Sequence, residues 1–124
     1  LFEKVTRAKL KDFVLFGEKY FFIVDNGQLF RALGKNKANV VKLEELLKRK
    51  IKIVEFADTP AQFIINVMAP LKVVDIKEDN GVFTVSGPDQ KTRGLMIGAR
   101  AQNLRNYESI VQKYFPDVKE IKVI

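Results

Sequence analysis

Two octapeptides in this chain place a glycine, basic side chains and an asparagine in the same order. Residues 33–40 read LGKNKANV and residues 97–104 read IGARAQNL. Each runs from an apolar residue through Gly and a variable stretch to Asn and a second apolar residue. The chemistry open to this pattern is anion binding. A glycine reaches backbone angles closed to other residues and lets a partner's backbone come close. A helix that follows such a turn offers unpaired amide hydrogens and the positive end of its dipole, where a phosphate fits. Arg31, Lys35, Lys37 and Lys42 surround the first pattern, and Lys91, Arg93, Arg100 and Arg105 surround the second. A single glycine in this setting is usually a plain helix C-cap. The recurrence of glycine, asparagine and flanking cations favours the anion-binding reading. Asn39 and Asn103 either contact a nucleotide or brace the turn through backbone hydrogen bonds.

Composition narrows the chemistry further. The 124 residues include no Cys and no His. Disulfides, Cys/His zinc sites and catalysis by a Cys or His nucleophile are thereby excluded. Lys and Arg number 22 against 15 acidic residues, a formal charge of +7. That charge favours anionic partners, nucleic acid first among them. Asp75, Glu78 and Asp79 form the dense acidic group of the second half, but they fall on a strand end and a hairpin turn, where solvated acid is ordinary. No hydrolytic carboxylate pair is indicated, and a non-enzymatic protein without a cofactor is expected. No stretch approaches the ~20 apolar residues of a membrane span. The apolar segment from Phe13 to Val24 is broken by Gly17, Glu18 and Lys19 and reads as two strands about a turn. No secretory leader pattern opens the chain, and its start at Leu1 rather than Met is expected of a trimmed or fragmentary sequence. A cytoplasmic monomer is the expectation.

The elements that must position these turns are legible as two similar halves. In the first, a short helix over about 2–9 precedes strands at 10–16 and 20–25, divided by Phe16-Gly17-Glu18-Lys19. Asp25-Asn26-Gly27 marks a turn. A short helix at 28–33 ends at Gly34, a longer one spans about 38–49, and IKIVEF at 51–56 alternates as a strand. In the second half, Thr59-Pro60 opens a helix to about 68, with Gln62 able to complete a capping box. Pro70 stops it. Strands follow at about 71–77 and 81–86 around the tight-turn signal Asn80-Gly81. Pro88 opens a helix ending at Gly98, a helix at 101–114 carries Leu104, Tyr107, Ile110, Val111 and Tyr114, and 118–124 form a last strand. The expected units are 1–57 and 58–124, packed end to end. Each is near the lower limit for independent folding. Phe2, Phe16, Phe56 and Phe115 have no clear place in these patterns. If they share an exposed face, they would mark a protein-docking surface.

This order of elements resembles the type II KH domain, helix-strand-strand-helix-helix-strand with a G-x-x-G loop between two helices. The whole chain resembles the tandem KH region of the NusA family of transcription elongation and termination factors, in its short archaeal form. The segments that carry the likeness are LGKNKANV, Lys52-Ile53-Val54-Glu55, PAQFIINVMAP at 60–70 and VSGPDQKTRGLMIGARAQNLRN at 85–106. The resemblance implies an α+β fold of two tandem type II KH domains, each with a three-stranded mixed sheet. It implies binding of about four nucleotides of single-stranded RNA per module, with RNA polymerase as a second expected partner. The loop positions it carries over are Gly34 to Lys37 and Gly98 to Ala101; with the flanking cations and asparagines, the residues expected to meet RNA are Arg31, Gly34, Lys35, Asn36, Lys37, Asn39 and Lys42 in the first unit. In the second they are Arg93, Gly98, Ala99, Arg100, Ala101, Asn103 and Arg105. Apolar lining is expected from Val40, Val41, Ile53 and Val54, and from Leu104, Ile121 and Val123. Lys37 and Ala101 replace the second glycine of each loop. The first loop is expected to compensate by charge and the second to keep the standard shape. The alternative is a protein-interaction module that docks to the transcription machinery with weakened RNA binding.

Overall fold

Hydrophobic periodicity resolves into two compact units, Leu1–Ala57 and Asp58–Ile124, in a computed structural model that describes residues 1–16 and 19–124. The turn expected at Gly17-Glu18 and the side chain of Phe16 lie outside the described residues. In the first unit the order is α1 (Phe2–Thr6), β1 (Leu10–Phe16), β2 (Lys19–Val24), α2 (Leu29–Leu33), α3 (Ala38–Leu47) and β3 (Lys50–Glu55). Strand β2 is central, antiparallel to β1 and parallel to β3. Alternation along the strands sends Phe22, Val24, Ile51 and Ile53 to one face, where they meet Phe2, Ala8, Ala32 and Leu43. That buried set is the core on which α2 and α3, and hence the turn between them, are seated.

The second unit repeats the plan with α4 (Pro60–Met68), β4 (Asp75–Asp79), β5 (Val82–Ser86), α5 (Gln90–Ile97), α6 (Gln102–Tyr114) and β6 (Glu120–Val123). Strand β5 is central, antiparallel to β4 and parallel to β6. This is the α+β, mixed-sheet arrangement of two tandem KH-like domains. Asn80 and Gly81, at φ 50° and 86°, form the two-residue link that pairs Asp79 with Val82. Asp89 caps α5 by accepting the Thr92 N–H at 2.7 Å, a bond that holds its carboxyl below the usual carboxylate range. Phe63 is fully buried on α4 and packs edge-on against Tyr114 and at a tilt against Phe115.

Several boundaries differ from the sequence expectation for local reasons. Helix α1 stops at Thr6 because Arg7 adopts a left-handed conformation and returns its N–H to Glu3 O. Helix α3 stops at Leu47, where Lys48 does the same toward Glu44 O. Strand β4 begins at Asp75 rather than 71, since Leu71 N–H closes a turn on Met68 O and only Val74 first reaches the ladder, at Ser86 O. Helix α5 starts one residue beyond its Asp89 cap rather than at Pro88. Thr59 accepts the Gln62 N–H, but the Gln62 side chain donates forward to Asn66 instead of completing the capping box. Of the aromatics without an expected place, Phe2 is buried and stacked on Phe22 at 4.6 Å, and Phe115 lies against Phe63. Phe56 lies under the Lys11 ammonium at 4.5 Å. None of these three is an exposed side chain, so they offer no aromatic docking face.

Lys52 is an unusual passenger in β3. Its ammonium lies 5.9 Å from the centroid of Phe21, over which Lys19 also sits at 5.8 Å. Burial, aided by Lys19, brings its pKa down to about 8. Lys52 therefore holds its proton less tightly in the fold than in the unfolded chain. Stability should rise as pH climbs from about 8 toward 10.5, the range in which the unfolded chain is still protonated there and the fold is not. Replacing Lys52 by Met should raise thermal stability at pH 7 by on the order of 2 kcal/mol. The difference from the parent should shrink toward pH 10 in melts followed by circular dichroism. A constant difference across that range would contradict this assignment.

Candidate nucleic-acid interface

The two glycine turns are built alike to within a few degrees. Gly34 lies at φ 75°, ψ 172° and Gly98 at φ 74°, ψ 175°. This region of backbone space is essentially restricted to glycine. The next two residues that leave the right-handed region are Asn36 (55°, 32°) and Lys37 (59°, 30°), matched by Arg100 (55°, 31°) and Ala101 (59°, 24°). These are left-handed angles, which a side chain can occupy at a cost of roughly 1–2 kcal/mol. The contrast explains the sequence departure. The first glycine of each loop stands where a Cβ has no place, whereas the second stands where Lys or Ala is tolerated. Both loops keep the same shape, including the first, which is expected to compensate by charge.

The asparagines supply the brace. Asn39 Nδ2 donates to Arg31 O at 3.2 Å, and Asn103 Nδ2 donates to Leu95 O at 2.9 Å. Each side chain thus ties the helix after the turn to the helix before it. A Cβ added at Gly34 would come within 2.9 Å of Asn39, and one at Gly98 within 2.7 Å of Asn103. Glycine and asparagine are therefore a matched pair. These bonds are those of the bracing role weighed for the asparagines. Inside the turns, Lys37 N–H donates to Gly34 O and Ala101 N–H to Gly98 O, at 3.1 and 3.2 Å. The following amides, of Ala38 and Gln102, close on Lys35 O and Ala99 O. Those four amides serve the turn itself.

Glutamates not anticipated from the sequence complete the support. Glu44 accepts the Ile51 N–H at 3.1 Å and Glu108 accepts the Ile121 N–H at 2.9 Å. These residues occupy equivalent places in α3 and α6, so each helix after a turn is tied to the last strand of its unit. Their recurrence five residues after Asn39 and Asn103 is the signal that could have found them. Glu55, the last residue of the Lys52-Ile53-Val54-Glu55 segment, accepts N–H bonds from Gly27 at 2.8 Å and Leu29 at 3.4 Å. It fixes the start of α2, and through it the position of Gly34.

The cations are placed unevenly. Arg31, Lys35, Lys37 and Lys42 are all exposed around the first turn, with Asn36 at its tip. In the second unit Arg100 is exposed at the tip between Ala99 and Ala101, and Arg105 is exposed one turn into α6. Lys91 and Arg93 are not brought to that turn. They lie toward the start of α5 beside Asp89, and the Arg93 guanidinium donates to Gly87 O at 3.4 Å. The expected lining also divides. Ile53, Val54 and Ile121 are buried, because strand neighbours and helices cover them, and cannot face a ligand. Val41 is exposed, and Val40, Leu104 and Val123 are partly so.

Gly98→Ala should lower stability by about 1–3 kcal/mol, the range for a side chain forced into a glycine-only region. Ala101→Gly and Lys37→Gly, which relieve left-handed strain but loosen the unfolded chain, should raise it by up to about 1 kcal/mol. Urea unfolding of the three variants checks both signs.

No protein-family model matches the chain. Among known proteins, it is 31% identical to the probable transcription termination protein NusA of Methanocaldococcus jannaschii, over 99% of this chain and 68% of that protein. It is likewise 31% identical to the protein of the same description from Methanococcus vannielii, over 100% of this chain and 73% of the relative. Among solved structures, the crystal structure of APE1850 is similar in fold, with a TM-score of 0.74 at 20% identity over 99% of this chain and 92% of that one. The paired turns and the match to archaeal relatives along this whole chain together place it: the chain belongs to the NusA family.

Proposed function

We propose that this chain is a single-stranded RNA-binding transcription factor that modulates elongation, pausing or termination by RNA polymerase through two KH modules, residues 1–57 and 58–124. The observation that carries the reading is the turn built twice, with matching angles and an asparagine brace, and set among exposed cations. The relatives' description as transcription termination proteins supports the same reading. Phosphates meet Arg31, Lys35, Lys37 and Lys42 in the first module and Arg100 and Arg105 in the second. Bases lie against the exposed parts of Val40, Val41 and Leu104. The protein acts in the cytoplasm as a monomer, requires no cofactor and performs no chemistry on the strand.

A second reading rests on the side chains at Lys37 and Ala101, which stand where the family's loops leave the backbone bare. On that reading the loops serve as architecture, and the chain docks to the transcription machinery with little RNA affinity.

The combined variant Lys35→Ala, Lys37→Ala, Arg100→Ala distinguishes them. Fluorescence anisotropy with a labelled single-stranded RNA at two salt concentrations should show weaker binding. The salt slope should fall by about 2, given roughly 0.7 for each single-strand phosphate that is no longer neutralised. Unchanged affinity at both concentrations would remove the turns from the binding mechanism. Competition by single-stranded DNA of the same sequence reads the contribution of the 2′-hydroxyl.

A further inference from the structure

Phe30 is 86% exposed, more than any other large apolar side chain among the described residues. The fold gives it no work. Ala32 is buried in the core of the first unit, and Leu29 and Leu33 pack against that core. Helix α2 therefore turns its apolar stripe inward at spacings of three and four residues, leaving Phe30 and Arg31 outward. Phe is also a mediocre helix former, so local propensity does not explain its presence. Its place relative to the turn is fixed by the backbone. Phe30 O accepts the Gly34 N–H at 3.1 Å, which sets the residue one helical turn before the glycine. Arg31, Lys35 and Lys37 around it are all exposed. An aromatic face beside a cluster of cations is the combination that holds single-stranded nucleic acid with little regard to sequence. The second unit lacks this feature. Gly94 occupies the equivalent place, four residues before Gly98, and a Cβ built there meets nothing within 4 Å.

Building on the RNA-binding reading, we propose that Phe30 is a base-stacking platform: a nucleobase of the strand whose phosphates lie on Lys35 and Lys37 stacks on its ring. The cations select an anionic occupant, and the ring is sequence-tolerant because every base has a π-face. The two modules then differ in kind. The first grips by charge and stacking, and the second by its turn and arginines without a ring.

The chain contains no Trp, so Phe30→Trp installs a single reporter at the site. Adding a single-stranded oligoribonucleotide should quench its emission along the same curve as the anisotropy of labelled RNA. Inorganic polyphosphate, which carries charge without bases, should leave the emission unchanged. Phe30→Ala should weaken RNA binding about fivefold or more, the lower end of what one stacked base contributes. Gly94→Phe should tighten it, since the space for the ring is open. Anisotropy that reports RNA binding with no change in emission, together with parental affinity for Phe30→Ala, would overturn the stacking role and leave the RNA-binding reading standing. Equal quenching by polyphosphate would also overturn it. If the parent chain itself gives no anisotropy change with RNA, the broader reading fails, and this one with it.

Discussion

At Gly34 and Gly98 the backbone takes a positive φ with an extended ψ, and the amide of the asparagine five residues later packs over the bare Cα. Two demands meet there. The angles exclude a side chain, and so does the asparagine, which must come that close to reach the carbonyl of Arg31 or Leu95. Once both are met, the short helix before the turn and the longer helix after it have a fixed relation. The cations carried by the turn are then presented from a rigid support rather than a loose loop. The left-handed residues that follow are a softer requirement, which is why Lys37 and Ala101 can stand where glycine would be easier.

The braces around each turn form a chain of single hydrogen bonds between elements that the hydrophobic core already places side by side. In the first unit Glu55 holds the start of α2, Asn39 joins α2 to α3, and Glu44 joins α3 to β3. In the second, Asp89 caps α5, Asn103 joins α5 to α6, and Glu108 joins α6 to β6. None of these bonds is large by itself; each contributes on the order of 1 kcal/mol. Their value is directional. Burial of Leu43 or Tyr107 sets how closely a helix lies on its sheet, and the hydrogen bonds set its register along the strand.

The two units share this scaffold and differ on the surface. The first turn carries Lys35, Asn36 and Lys37 where the second carries Ala99, Arg100 and Ala101. The first is preceded by Phe30 and Arg31, the second by Gly94 and Leu95. Backbone angles agree across these differences because the exposed side chains take no part in forming the turn. Two equal frames therefore present unequal chemistry, one strongly cationic and aromatic, the other carrying Arg100 and Arg105 and an exposed Leu95 but no ring.

The internal repeat, the order of elements, the glycine turns and their cations are all legible in the residues, since glycine, proline, capping residues and apolar spacing act over a few positions. The helix end at Lys48 and the late start of β4 are not, because left-handed caps on non-glycine residues and the turn through Pro70 depend on what the chain packs against. The same division holds for the site. Residue types and their spacing are enough to mark two glycine turns with flanking cations. It took the folded units to draw Arg93 away to Gly87, to cover Ile53, Val54 and Ile121, and to leave Phe30 in solvent. Those outcomes turn on which face of each element is buried, and burial is a property of the assembled sheet and helices, not of any one segment.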